Sequence, residues 1–279
     1  SLTGAGQASC ANDGIVADPV KFTQVDVSLT GGSDGVSVSG CNAFEARRVA
    51  VSGAASPFSG IYVIGASTNA QIIQSVARGA LGGYGIEIGG AATGATIDNS
   101  VATANNKAGI RVSVASVVVK NNQSYQNSGA DAHGILLDGT ASSAVIFNNL
   151  IFDNGDAATG ANGIFVNGAL TGHRITFNTI WDINTGASTL LGRGAIRFSN
   201  DVAGTVADFK DNIIGGAMST YSAGLIFPDA APVAGFFTAW GENVFGCNRP
   251  GGAAPAGFTV CESTTVTKDC AAVAATPTG

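Results

Sequence analysis

Apolar and polar positions in this chain come in short bursts, not at helical spacing. From Gly134 to Asn154 the order is a glycine, a first apolar run (Ile135-Leu136-Leu137), a small-residue turn, a second run (Val145-Ile146-Phe147), an Asn pair, a third run (Leu150-Ile151-Phe152) and a closing Asn. The same order recurs along the chain. It opens at Gly35-Val36, Gly60-Ile61, Gly85-Ile86, Gly109-Ile110, Gly134-Ile135, Gly163-Ile164, Ala195-Ile196 and Gly224-Leu225, with steps of 25, 25, 24, 25, 29, 32 and 29 residues. Self-similarity at such a period means a repeat architecture. Three apolar runs separated by Gly, Ser, Asn and Thr read as three short strands per repeat, and no stretch sustains the 3.6-residue period of a helix.

Alternation within the first run sets the register, because successive strand side chains point to opposite faces. Ile61, Ile86, Ile110, Ile135, Ile164, Ile196 and Leu225 form one inward column; Val63, Ile88, Val112, Leu137, Val166, Phe198 and Phe227 form a second. One repeat cannot bury its own apolar face, so the repeats stack and like side chains meet at a rise of roughly 4.8 Å. A third column aligns Ser75, Ser100, Asn122, Asn149, Asn178, Asn212 and Asn243, each three residues after a large apolar residue (Ile72 to Trp240). That places it at a turn between buried strands. Asn suits a turn through its tolerance of the left-handed conformation, and a stack through an amide that donates and accepts. Asn105, Asn127 and Asn154 follow five residues on in three repeats, and Asn154 is expected nearer the surface.

These columns resemble the right-handed parallel β-helix of the pectate-lyase-like superfamily, with its interior asparagine ladder. The resemblance covers about Gly35 to Gly246 and implies an all-β solenoid of about eight coils. A left-handed helix would need a hexapeptide period, which is absent. Function does not follow from the fold, since the superfamily holds lyases, hydrolases, adhesins and inert shafts.

Composition narrows the classes. With 45% hydrophobic and only 11% charged residues in 279, the chain buries a large core and carries few charges. A net charge of −6 offers no basic stripe for phosphates, so nucleic acid is not expected as a partner. No apolar run approaches the roughly 18 residues of a membrane span, and Ser1 begins no recognisable signal peptide. Cys10, Cys41, Cys247, Cys261 and Cys270 lie toward the two ends. That placement suggests disulfides closing the solenoid's ends in an oxidising, extracellular or cell-surface setting. The fifth cysteine is left over.

In chain order, residues 1–34 read as an N-terminal cap with an irregular first coil, its opening strand at Gly14-Ile15-Val16. Residues 35–246 are the β-helix, and 247–279, rich in Ala, Thr, Gly and Pro, are a cysteine-containing cap or tether. From Gly134 onward the coils lengthen at Gly155–Asn162, Asn184–Gly194 and Gly215–Ala223. In enzymes of this resemblance, loops entering the first strand wall the substrate groove.

The outward column of the first strand runs Ser37, Tyr62, Glu87, Arg111, Leu136, Phe165, Arg197 and Ile226. Two residues on come Ser39, Ile64, Gly89, Ser113, Asp138, Asn167, Ser199 and Pro228. Glu87, Arg111 and Asp138 thus share one face on successive coils, with His133 just before the strand of Asp138. Read as an enzyme, this face is a groove for an acidic polysaccharide. Arg111 or Arg197 serves as base, with His133 beside them, Asp138 as a sugar or cation ligand, and Tyr62 and Phe165 as stacking platforms beside Glu87 and Asn167. Read as structure, it is an exposed ion ladder that avoids stacking like charges. The Asp-Asp, Gly-His-Gly and Arg-Ile-Lys signatures of polygalacturonases and the Arg-x-Pro-x-x-Arg of pectate lyases are absent. Gly82 to Glu87 matches a calcium-binding nonapeptide only once, and Asp153 with Asp156 is the other place for calcium, otherwise a solvated turn; no transition-metal set exists. Asn122-Gln123-Ser124 is a glycosylation sequon by letter, closed to modification if Asn122 is interior.

Three readings stay open. The first is a secreted or cell-surface β-helical scaffold, adhesive or assembly-forming, whose partner is itself or another surface protein. It rests on sparse charge and on Leu136, Phe165 and Ile226 projecting outward from a face expected to be wet, with Tyr62 and Ile64 at its other end. The second is a polysaccharide lyase or glycoside hydrolase. The third is a carbohydrate-binding shaft without catalysis.

Overall fold

Each repeat wraps once around a common axis in the computed structural model, laying down one strand in each of three sheets. The structure describes residues 2–3, 6–9, 20–29, 34–54, 58–129, 131–155, 161–168, 171–181, 183, 193–198, 205–217, 222–227, 237–248 and 259–261. Among them the opening sheet holds ten strands, the middle sheet nine and the closing sheet ten, so the stack extends past the eight repeats read from the sequence. At the start, Gly6–Ser9 pairs with Val36–Ser39 in the opening sheet, and Lys21–Thr23 and Asp26–Ser28 extend the other two. Gly14-Ile15-Val16 lies outside the described residues. Among the described strands every pairing is parallel except the last, where Thr259–Cys261 runs antiparallel to Ser222–Phe227.

The register stacks like on like. Ile86 pairs with Ile61 and Ile110, and Ile135 with Ile110 and Ile164. In the middle sheet Ile97 pairs with Ile72 and Val119, and Ile146 with Val119 and Ile175. All of these side chains are wholly buried in one continuous core. The glycine that opens all but one of the repeats is demanded by the approach of the next coil. A Cβ on Gly35 would sit 2.6 Å from the Gly60 carbonyl oxygen, and one on Gly134 would sit 2.6 Å from that of Gly163.

The asparagine column is a ladder inside the corner between the middle and closing sheets. Asn149 Oδ1 accepts from the backbone N–H of Asn122 at 3.0 Å and from its Nδ2 at 3.1 Å. Asn149 Nδ2 in turn donates to Asn178 Oδ1 at 3.0 Å and to the Val119 carbonyl at 2.9 Å. The pattern runs from Ser75 through Ser100 to Asn243. One expectation is corrected here. The left-handed turn belongs not to the ladder residue but to the one before it: Gln74, Asn99, Asn121, Asn148, Phe177 and Asp211 all have φ between 49° and 59°. The residue that turns the corner points outward, which leaves its successor to point in and meet the neighbouring coil.

Asn105, Asn127 and Asn154 form a second ladder between the closing and opening sheets. Asn154 is fully buried, against the expectation that it lies nearer the surface. Its Oδ1 accepts from Asn127 N–H at 3.2 Å and Nδ2 at 2.8 Å, and its own Nδ2 donates to the Ser124 carbonyl at 2.9 Å. Asn122 is buried too, so the sequon is closed. Cys41 is wholly buried. Of the lengthened segments, 156–160, 184–192 and 218–221 also lie outside them.

Candidate functional site

The opening sheet carries the outward column as read: Glu87 pairs with Tyr62 and Arg111, Arg111 with Leu136, Leu136 with Phe165, and Phe165 with Arg197. Because the rise per coil is roughly 4.8 Å, neighbouring long side chains touch. Arg111 Nη1 meets Glu87 Oε1 at 2.5 Å and Nη2 meets Asp138 Oδ2 at 3.0 Å. The guanidinium also lies 5.0 Å from the centre of the Tyr84 ring, which carries Lys107 Nζ at 5.2 Å. Glu87 is buried and accepts a 2.7 Å hydrogen bond from the Ser59 hydroxyl. Asp138 is half-buried, held by the Gly139 N–H at 2.8 Å and in reach of the exposed Asn167 Nδ2 at 3.4 Å. The expected Glu–Arg–Asp ladder therefore exists as one connected network, extended by Ser59 at one end and Asn167 at the other.

Protonation in this network follows from its contacts. Burial alone would lower the Arg111 pKa, but its hydrogen bonds to Asp138 and Glu87 and the Glu87 charge outweigh burial and hold it above the usual range. Burial, then the Glu87 charge, pushes the Tyr62 phenol up. Burial also pushes up Tyr84, against the opposing charge of Arg111. Asp34, which accepts from the Ser59 N–H at 2.8 Å, is raised by burial against that bond. Near neutral pH both phenols are protonated and Arg111 is a cation.

His133 is buried, with its Nδ1 accepting the Asn162 N–H at 2.9 Å, which places the proton of a neutral ring on Nε2. It stands edge-on to Phe165 at 5.0 Å, and Arg197 lies 4.8 Å from the other sequence-predicted platform's centre, the same Phe165 ring. His173, also buried, receives the Ala144 N–H at its Nδ1. Asp153 sits at a left-handed corner and accepts from Gln126; Asp156 lies outside the described residues. Among the described residues no three His, Cys, Asp or Glu side chains gather as a metal site, and no helix is long and apolar enough to cross a membrane.

The apolar part of the outward column differs from expectation. Leu136 and Phe165 project outward but are only 5% and 8% exposed. Together with Ala108 and the half-buried Tyr84 they form a second, small core outside the sheet. Tyr84 and Ala108, in the turns entering two of the opening strands, pack over them, so they are not a wet apolar patch. The Ile226 side chain lies outside the described residues.

Sequence reasoning passed over a different surface. The third run of each repeat has its own outward column, in which Tyr125, Phe152 and Trp181 follow one another. Reading that run as the first was read would have found it.

The family described as "Right handed beta helix region" matches residues 34–203. No curated protein matches the sequence. Among solved structures, the chain is similar to the periplasmic alginate epimerase AlgG (T265N mutant), with a TM-score of 0.60 at 14% identity over 89% of this chain and 58% of that one. The A-module of mannuronan C-5 epimerase AlgE4 from Azotobacter vinelandii superposes with a TM-score of 0.53 at 17% identity, over 90% of this chain and 88% of that one. Pectate lyase Pel9A gives 0.50 at 14%, over 88% and 67%. The chain thus spans under two thirds of the alginate epimerase's length. At these identities the likeness is one of fold.

Proposed function

This chain belongs to the family of right-handed β-helices, and we propose that it is an extracytoplasmic protein that binds a polysaccharide along its opening-sheet face without cleaving it. One observation carries the reading: the connected strip Glu87–Arg111–Asp138–Asn167, laid across successive coils with the Tyr62 ring beside it. A sugar chain lying along the helix axis would meet hydrogen-bonding groups at each coil. An aromatic body with a polar tip at Tyr62 suits a surface that is apolar at one end and wet at the other.

Binding is favoured over turnover because Arg111, one of the two candidate bases, is spent. A general base works best with a pKa near the operating pH, whereas Arg111 is held as a cation by two carboxylates and both phenols are pushed away from neutrality. His133 gives its Nδ1 to the backbone. Since Arg111 is already matched twice, the strip offers little free positive charge to a uronate. Neutral sugar hydroxyls, which donate to Asp138 and Asn167, are the better fit. The end-clustered cysteines and the fold's likeness to a periplasmic enzyme support the extracytoplasmic setting. Calcium is not needed for this reading.

Affinity electrophoresis against neutral and uronate polysaccharides tests it. Retardation by a neutral polymer is expected, and Tyr62→Ala and Asn167→Ala should each weaken it about tenfold, or about 1.4 kcal/mol, without lowering the melting temperature. Release of ultraviolet-absorbing unsaturated ends from a uronate polymer would overturn the reading in favour of a lyase.

A further inference from the structure

Among the described residues, the large exposed apolar side chains other than Leu81 cluster on the side opposite in kind to the opening face, where the middle sheet turns into the closing sheet. Leu150 is 38% exposed, Ile213 46%, Trp181 44%, Phe147 37% and Phe177 49%. Leu150, Thr179 and Ile213 pair in register along one outward column. Phe152 and Trp181 flank that column on one side, and Phe147 and Phe177, in edge contact at 5.4 Å, flank it at the corner. Every flanking ring comes from the same two coils.

Phe177 is the clearest sign that the patch is selected. It occupies the left-handed corner with φ 59°, a place held in the neighbouring coils by Gln74, Asn99, Asn121, Asn148 and Asp211. A bulky residue is out of place there, and about half of its surface stays open to solvent.

We infer that this corner is an isologous interface through which two copies of the chain pair with antiparallel helix axes. The two-fold axis passes through Thr179. The low Thr179 faces its own copy and Leu150 of one chain meets Ile213 of the other, while a two-fold along the strand direction keeps each flank on its own side, so Trp181 meets Trp181 and Phe177 meets Phe177. A patch with apolar knobs at both ends of a column and aromatic pairs on both flanks is complementary to itself, as such symmetry requires. At the fractional exposures above, the five residues leave roughly 400–500 Å² of side chain to solvent, the size of a functional patch on a monomer and the core of a standard interface of about 800 Å² per partner. A sugar is the poorer occupant: Tyr125 and Phe152 stack face to face at 4.7 Å and 9°, so they turn edges outward, whereas a pyranose needs an open ring face. The pairing does not involve the opening face and stands independently of the polysaccharide reading.

Sedimentation over about a hundredfold range of concentration, in which a dimer must dissociate by mass action, tests the interface. A monomer–dimer equilibrium is expected. Ile213→Lys and Trp181→Ser should each weaken it at least tenfold with an unchanged melting temperature. Under oxidising conditions Thr179→Cys should give a cross-link whose peptide joins position 179 to itself, while Val101→Cys, three coils away in the same column, should give none. A monomer throughout overturns the proposal. So does association that survives Ile213→Lys, which would locate it elsewhere, or cross-linking equal at the two positions.

Discussion

At the scale of residues, the buried asparagines do a job that water does in a loop: they satisfy the backbone where the chain leaves one strand and has not begun the next. Each amide links three coils, so removing one strands polar groups in two others. Asn149→Ala leaves the Asn122 N–H without its side-chain acceptor and takes the amide donor from the Val119 carbonyl. Asn154→Ala does the same to the Asn127 N–H and the Ser124 carbonyl. Because both sites are buried, each change is expected to cost about 1–3 kcal/mol, and the two costs should be similar in a denaturant titration. A markedly smaller loss at Asn154 would mean that water reaches the second ladder.

The ladder residues were legible as a column because they recur at the period of the fold. The side chain that turns each corner was not, for it varies among Arg48, Gln74, Asn99, Phe177 and others. A backbone geometry common to all of them leaves no common letter. The same limit hid the outer core: Leu136 and Phe165 alternate outward as the strand demands, and only the folded turns carrying Tyr84 and Ala108 show that outward is not the same as wet.

Elements are short here, mostly three residues in the regular coils, and each is stable only as part of a stack. A strand of three cannot choose its own face, so its outward residues are free to specialise. The opening strands use that freedom for ions and the closing strands for aromatic rings. Phe177, between a middle and a closing strand, shows the cost of specialising. Relief of its left-handed strain should make Phe177→Asn more stable by about 0.5–1 kcal/mol as a monomer, since Asn visits that conformation more easily. The same substitution should weaken self-association. A calorimetric melt at low concentration beside sedimentation at high concentration separates the two effects; loss of stability in the monomer would show that Phe177 packs within its own chain.

Across the whole molecule, the fold is close to one-dimensional, each coil touching only its neighbours. Ile110→Ala in the centre of the inward column should cost about 2–5 kcal/mol, and amide exchange should quicken most at Ile86–Ile88 and Ile135–Leu137, the strands paired directly with it. Uniform quickening from end to end would mean that the solenoid unfolds as a single unit. One dimension is also why the architecture could be read without a structure. A period of about 25 residues, an opening glycine that only one repeat replaces (Ala195) and a ladder position held by Asn or Ser are local rules repeated along the chain, and repetition makes them visible in the sequence. The network at Arg111 was visible in part, as opposite charges placed on successive coils. What only the tertiary structure decided is everything that occurs once: that Arg111 is held from two sides, that His133 turns its Nδ1 to the Asn162 backbone, that Leu136 and Phe165 are covered, and that the exposed rings gather at the Phe177 corner. Those outcomes depend on how far one side chain reaches across a coil boundary, and that distance is set by packing, which no single repeat contains.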